Sequence, residues 1–187
     1  MPSPIAHFAA GAIAATVLTR TVNDAYQKRC MWAWALFFSI APDLDAIPGF
    51  LSGNMAAFHN QISHSFFFGV TICLIAAIGF RMLFRRCLEW WSSPRMGSAA
   101  FICYSLHLII DSMSLGPGVK LFWPFTEERF SSPIILFYGV RHSESLFSLH
   151  HLITIGNELV IIACFLLLAK FLSRSNHPVS TRISVDP

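Results

Sequence analysis

The stretch that decides how this chain folds is PDLDAIPGFLSGNMAAFHNQISHS, residues 42–65. It carries two carboxylates, Asp43 and Asp45, and two imidazoles, His59 and His64, and it contains no Lys or Arg. Because strongly apolar segments lie on both sides of it, we interpret it as the connection between two membrane helices. Oxygen and nitrogen donors without a cation to neutralise the carboxylates suit a divalent metal ion. The stretch therefore predicts a metal site at one face of a membrane.

The composition of the whole chain agrees with a membrane protein. Its 187 residues are 55% hydrophobic and only 12% charged, and the mean hydropathy is +0.58. A soluble globular domain carries about 25% charged residues. We therefore predict an all-α, multi-pass transmembrane bundle in which residues 1–172 form one domain. Residues 173–187 are polar and contain two prolines, which indicates a disordered cytoplasmic tail.

Two further features of the composition narrow the class of protein. The net charge of +3 is too small to indicate a nucleic-acid partner. The five cysteines are odd in number and form no CxxC pair, so the sequence supports neither a disulfide framework nor a zinc ribbon. The metal ligands are therefore expected among the histidines and the acidic residues.

Five helical spans are predicted, over residues 5–19, 30–41, 65–84, 98–115 and 149–172. A helix needs about 20 apolar residues to cross a bilayer, and the third and fifth segments satisfy this. The other three are short or carry polar residues, so we expect them to lie inside the bundle and to end in a polar pocket. Pro42 is expected to end the second span.

The positions of the basic residues predict the topology. Ten of the 13 Lys and Arg residues lie after the first span, around the end of the third span and before the fourth, or at the end of the fifth. The positive-inside rule places these groups in the cytoplasm. The amino terminus and the 43–64 and 116–148 loops then face outward, and the carboxyl terminus faces inward. Seven of the eight histidines fall on the outer side of this map, His177 being the exception.

Two intramembrane features extend the predicted site. His107 and Asp111 are spaced four residues apart, so both side chains leave one face of the fourth span. Ionisable residues inside a membrane helix are costly and usually functional, although such a pair could also join two helices by hydrogen bonds. Glu158, at roughly the same depth as His107, is a candidate ligand, with a hydrogen bond within the bundle as the equal alternative.

We therefore predict a metal site that is richer in ligands than one zinc ion requires. Asp43 and Asp45 are also the candidate catalytic residues, which would orient or deprotonate a water molecule, although such a pair could simply form a turn. One to three divalent ions, with zinc expected, would suit hydrolysis of a phosphoester. Lys120, Arg129 and Arg141 could hold an anionic headgroup, or could serve only loop solubility. The predicted ligands are His7, Asp43, Asp45, His59, His64, His107, Asp111 and Glu158.

The order of these motifs resembles a known family. An amino-terminal His followed by PDLD, HNQISHS, HLIID and a Gly-Pro-Gly turn with KLFWPF is similar to the membrane-bound metal-dependent hydrolases of the LexA-regulated inner-membrane type. The resemblance covers roughly residues 4–130. The functional residues that it implies are His7, Asp43, Asp45, His59, His64, His107 and Asp111, without Glu158. It also implies a bacterial inner-membrane location, so that the outer face in the predicted topology, which carries the site, is the periplasmic face. The metal motif is distantly similar to zinc-dependent phospholipase C, which implies a phosphoester substrate in a membrane lipid or a periplasmic metabolite.

Two other functions compete with this hydrolase hypothesis. Intramembrane His, Asp and Glu residues also mark the paths of divalent-metal or proton carriers. A carrier needs polar groups on both sides of the membrane midplane, and the inner half of this chain has almost none. A non-catalytic membrane protein with a structural metal is the third hypothesis. The argument against it is that the predicted ligands outnumber those that one closed metal site needs.

Overall fold

The computed structural model describes residues 1–53, 59–83, 93–140 and 148–175, with side chains up to residue 167 in the last helix. Within these ranges the fold is all-helical, and the described residues contain isolated β-bridges but no strand. The predicted all-α class is confirmed. The helices are α1 (Pro4–Leu18), α2 (Ala25–Ile40), α3 (Ala46–Ser52), α4 (Phe66–Leu83), α5 (Ser93–Ser112) and α6 (Leu149–Ser175).

Five long helices correspond to the five predicted spans, and their length and hydropathy separate those that can cross a membrane from the others. Among the residues that the structure describes, three segments are long and apolar enough to cross a membrane, namely Ala25–Ser52, Phe66–Leu83 and Leu149–Leu167. Pro4–Leu18 is apolar but shorter, and α5, which carries His107 and Asp111, is not among the apolar spans. α6 continues to Ser175, beyond the predicted end at 172, and the rest of the predicted tail lies outside the described residues.

The segment after α2 differs from the simple loop that the sequence predicted. α2 ends at Ile40, as expected next to Pro42, but the chain continues as a 3₁₀ turn over Ala41–Asp45 and then as α3. Proline is tolerated in the first turn of a helical segment because its missing N–H has no intrahelical partner there. Gly53, with a φ of +70°, then ends α3 in the left-handed conformation.

α5 is the central helix of the bundle, since α1, α2 and α4 all pack against it. Small residues allow these helices to approach closely, as is common in membrane bundles. A Cβ atom on Gly69 of α4 would lie 2.7 Å from the ring of Tyr104 on α5, and one on Gly11 of α1 would lie 2.5 Å from Ser39 Oγ on α2. These contacts fix the spacing between the helices that carry the histidines.

The surface of the bundle is apolar where a soluble protein would be polar. On α4, Leu74, Ile75 and Ile78 are each more than half exposed, whereas His107 and Asp111 of α5 are buried. Burying ionisable groups while exposing aliphatic ones is the arrangement expected when hydrocarbon is the solvent. The structure is therefore that of a helical membrane protein.

Candidate metal centre

The site begins on α5, where His107 and Asp111 lie one turn apart and are almost fully buried. His107 Nε2 lies 3.2 Å from Asp111 Oδ2. The other ring nitrogen, Nδ1, donates a hydrogen bond of 2.8 Å to the Ser39 carbonyl. That carbonyl belongs to the last turn of α2, where backbone acceptors lack intrahelical partners. Because Nδ1 is occupied by this carbonyl, Nε2 is the nitrogen of His107 that could bind a metal ion, and it faces Asp111.

The 3₁₀ turn after α2 adds the next carboxylate. Asp43 Oδ1 lies 3.4 Å from His107 Nε2 and 3.6 Å from His64 Nε2. The side chain of Asp43 is 23% exposed, whereas those of His64, His107 and Asp111 have no exposed surface. Asp43 is therefore the most exposed of these four residues.

His64 completes this arrangement from a short 3₁₀ turn, Ile62–His64, that precedes α4. Its Nε2 lies 3.2 Å from Asp111 Oδ2 and 3.4 Å from His107 Nε2. Burial alone would lower the pKa of His64, but the carboxylates of Asp111, Asp43 and Asp45 raise its pKa well above the ordinary value. This corner of the protein therefore favours a positive charge.

Four donor atoms converge here, all within 4.8 Å of one another. Five of their separations are between 3.2 and 3.6 Å. A tetrahedral ion with bonds of about 2.1 Å separates its ligands by about 3.4 Å. Asp43 Oδ1 and both oxygens of Asp111 are buried and form no hydrogen bond. The residues present thus fit a divalent cation. We call this group the four-donor cluster, which consists of Asp43, His64, His107 and Asp111.

Two further histidines flank the four-donor cluster. The ring of His7 stacks on His107 with 3.8 Å between centroids, and His7 Nε2 lies 3.3 Å from Asp111 Oδ1. Both ring nitrogens of His7 are buried without a hydrogen bond. His59 lies on the other side, with Nδ1 2.7 Å from Asp45 Oδ1 and Nε2 3.9 Å from Asp43 Oδ1. His7 near the amino terminus and His59 in the 42–65 stretch thus reach the same pocket as His107 and Asp111 on α5.

Asp45 is brought to the pocket but is not one of the four donors, and it contacts His64 at the nitrogen that faces away from them. Its oxygens contact His59 Nδ1, His64 Nδ1 at 3.2 Å and the hydroxyl of Ser63 at 2.5 Å. A carboxylate that accepts from the far nitrogen of a ligating histidine fixes its tautomer and orientation. The structure therefore gives Asp45 a supporting position, where the sequence had placed it beside Asp43 as a ligand.

The sequence did not identify Tyr104 and Ser63, two side chains that hold Asp45 in place. The Tyr104 hydroxyl donates to the Ser63 carbonyl, and the Ser63 hydroxyl donates to Asp45 Oδ2. Tyr104 lies three residues before His107, so its position on the same face of α5 was a usable signal. Ser63 directly precedes His64, but a serine beside a histidine is too common to stand out.

The placement of Glu158 is a correction to the predicted ligand set. Glu158 is fully buried, but its Oε1 accepts from the Ser3 backbone N–H at 2.5 Å and its Oε2 accepts from the Ser3 hydroxyl. Ser3 in turn caps α1, since its Oγ accepts from the Ile5 N–H. Both carboxylate oxygens are thus used in joining α6 to the start of α1. The structure shows the hydrogen bond within the bundle that was the alternative.

The predicted substrate cations are placed in the loop that follows α5. Lys120 Nζ forms an ion pair of 2.6 Å with Glu127, and Arg129 donates to the Gly118 carbonyl at 3.0 Å. Both contacts are local and hold the loop together. Arg141, the third predicted cation, lies outside the described residues.

Comparison with known proteins gives one match. The sequence model of the family described as YdjM inner membrane protein matches residues 1–177, a range that includes every residue of the four-donor cluster and all six helices. No curated protein and no solved structure matches the chain.

Proposed function

The chain belongs to the YdjM inner membrane protein family, and we propose that it is a membrane-embedded metal-dependent hydrolase that acts on a phosphoester. The observation that carries this proposal is the four-donor cluster, in which buried carboxylate and imidazole atoms face one another at the spacing of metal ligands. Zinc is the ion that this mixture of nitrogen and oxygen donors suits best.

The chemistry follows from how the protein holds its own side chains. Because zinc can accept a fifth ligand, a divalent ion held by the four donors would still bind a water molecule, lower the pKa of that water and polarise a phosphoryl oxygen. The Ser39 carbonyl and the Asp45 carboxylate orient His107 and His64 so that both Nε2 atoms face the ion. Asp43, the exposed donor, lies where the water and the substrate enter.

His59 is placed to move the proton that the water loses. Its Nδ1 lies 2.7 Å from Asp45 Oδ1, and its Nε2 lies 3.9 Å from Asp43 Oδ1, on the side of the exposed donor. A histidine oriented by a carboxylate is the usual form of a general base. In this proposal Asp45 contributes to catalysis through His59 and His64, while Asp43 contacts the ion.

A structural metal is the less favoured alternative for two reasons. Structural zinc sites are built mainly from cysteine and are closed by four protein ligands. The four-donor cluster contains no cysteine, and its Asp43 side chain is 23% exposed. Asp111 also presents Oδ2 to His64 and Oδ1 to His7, so a second ion could share this carboxylate.

A metal or proton carrier is disfavoured by where the ionisable groups lie. In the described part of the chain, the buried Asp, Glu and His residues lie at the same end of the bundle: at the start of α1, in the segment before α4, in the carboxyl-terminal half of α5 and in the first half of α6. The opposite end packs Met31, Met96 and Ala99. Arg20 follows α1 and Lys28 lies in the first turn of α2, both at that opposite end of the bundle, which supports a site that faces the periplasm.

A screen of phosphoesters with bound metal quantified in parallel tests this function. We expect the purified protein to contain a divalent ion and to hydrolyse a chromogenic phosphodiester, and we expect Asp111→Asn to abolish both properties. Asp24→Asn is the matched control, because Asp24 caps α2 at the other end of the bundle and Asn caps helices equally well. Protein that retains its metal but hydrolyses no phosphoester would favour the structural role.

A further inference from the structure

A groove of about 440 Å³ lies between α2 and α4, beside the four-donor cluster. It exists because both helices pack against α5 and are not packed extensively against each other. Its walls are apolar, with Phe37 and Phe38 contributed by α2, Ile72 and Ile75 by α4, and the ring of Tyr104 by α5. This volume is within the range of roughly 300–1,000 Å³ that is typical of ligand pockets.

One end of the groove is polar and is connected to the cluster. Asp45 and Ser63 line it, and Asp45 Oδ2 lies 3.2 Å from His64 Nδ1. Leu44 also lines the groove and belongs to the same 3₁₀ turn as Asp43, the exposed donor. A molecule in the groove therefore has one end beside Asp45, which contacts His64, and beside the turn that carries Asp43.

The other side of the groove faces the surroundings of the bundle. Ile75 is 59% exposed and Phe37 is 50% exposed, and both belong to segments that can cross a membrane. In a bilayer the molecules that touch such side chains are acyl chains. The occupant that this groove fits is therefore an acyl chain whose polar head lies toward Asp45.

Two other apolar cavities show what makes this groove different. One lies between α4 and α5 and has Ile78 in its lining, and the other lies between α1, α5 and α6. Neither has an Asp or a His among the residues that line it. An acyl chain in either cavity would leave its headgroup away from the four-donor cluster.

We propose that the substrate is a membrane lipid whose phosphoester reaches the four-donor cluster while an acyl chain lies in the groove between α2 and α4. This proposal rests on the hydrolase function proposed above. In the reaction, the water oxygen forms a bond to phosphorus and one P–O ester bond breaks. The proton that the water loses ends on the leaving alkoxide oxygen, so that no further reactant is consumed.

Two chromogenic diesters that differ only in their chain test the proposal, p-nitrophenyl methyl phosphate and p-nitrophenyl hexadecyl phosphate. We expect metal-loaded, full-length protein to hydrolyse the hexadecyl ester with a kcat/KM at least about tenfold higher. Ile75→Trp fills the groove and is expected to lower the ratio of hexadecyl to methyl hydrolysis about tenfold. Ile78→Trp is the matched control, because Ile78 is 57% exposed on the same helix but opens to the other cavity.

The outcomes separate this proposal from the function on which it rests. Hydrolysis of both esters with equal kcat/KM, or equal sensitivity to the two Trp variants, would overturn the lipid assignment and leave the hydrolase intact. Hydrolysis of neither ester by protein that holds its metal would overturn both. If Ile75→Trp does not fold, Ile75→Ala is expected to lower the ratio of hexadecyl to methyl hydrolysis, and Ile78→Ala is expected to leave that ratio unchanged.

Discussion

The two ends of the bundle use the same helices for different purposes. At one end, α1, α2, α4 and α5 meet around His7, His64, His107 and Asp111, which are buried with several polar atoms that form no hydrogen bond. At the other end, α2 and α5 meet through Met31, Met96 and Ala99, which are equally buried but fully apolar. A burial map alone would not distinguish these two regions.

The difference lies in what each end costs and contributes in free energy. A buried polar atom without a hydrogen-bond partner costs about 1–3 kcal/mol of folding free energy. The polar end therefore destabilises the fold until a bound ion or another group contacts these atoms. Buried Met and Ala side chains stabilise the fold directly through packing. The apolar end therefore holds the helices in place, and the polar end depends on that scaffold and on the ion that it would bind. Substitutions at the polar end should therefore change metal binding, and substitutions at the apolar end should change the stability of the fold.

The largest expected effect is at the polar end. His64→Ala removes the imidazole whose Nε2 lies within 3.6 Å of the other three donors. We expect the Kd for Zn²⁺ to rise by more than about 100-fold. Losing an outer partner of a metal ligand weakens metal binding by up to about 100-fold, and losing the ligand itself should weaken it more. Elemental analysis of purified protein and titration against a chelator measure this change.

Met96→Ala is the control for that experiment at the apolar end. Met96 is fully buried, so truncation should cost about 2–5 kcal/mol of stability while metal content stays unchanged. Loss of metal from folded Met96→Ala protein, or retention of metal by His64→Ala protein, would contradict the separation of the two ends.

An intermediate effect is expected for Asp45→Asn. The amide keeps the shape of the carboxylate but loses the charge that faces His59 Nδ1 and His64 Nδ1. We expect the metal affinity to fall about 10–100-fold, less than for His64→Ala, because Asp45 supports a ligand without being one. The matched control is Glu127→Gln, an exposed carboxylate paired with Lys120, which should leave the affinity unchanged. A loss as large as that of His64→Ala would make Asp45 a direct ligand.

Much of this architecture could be predicted from the sequence because membrane constraints are strong. Long apolar segments must be helices in a bilayer, so the five long helices follow from hydropathy. The one-sided distribution of histidines, set against the distribution of Arg and Lys, indicated that His7, His64 and His107 would share an end of the bundle. The four-residue spacing of His107 and Asp111 likewise predicted that both would face the same pocket.

The remaining details depend on directions that sequence spacing does not determine. Asp43 and Asp45 are two residues apart, and only the 3₁₀ turn decides that one faces the cluster and the other faces His59. Glu158 lies at a plausible depth, but its distance to Ser3 depends on how α6 packs against α1. The groove between α2 and α4 arises from packing around α5, which no local pattern predicts.

The smallest expected effect returns to the apolar end, where Trp34 Nε1 donates a hydrogen bond of 3.0 Å to the Met96 carbonyl. Trp34→Phe removes this bond and should lower the free energy of unfolding by about 0.5–1.5 kcal/mol without altering metal content. Unfolding in mixed detergent micelles measures the change. Trp32→Phe on the same helix is the control, because the indole of Trp32 has no hydrogen-bond partner among the described residues. If both variants lose equal stability, the loss reflects ring volume, and the link between α2 and α5 at this end is packing alone.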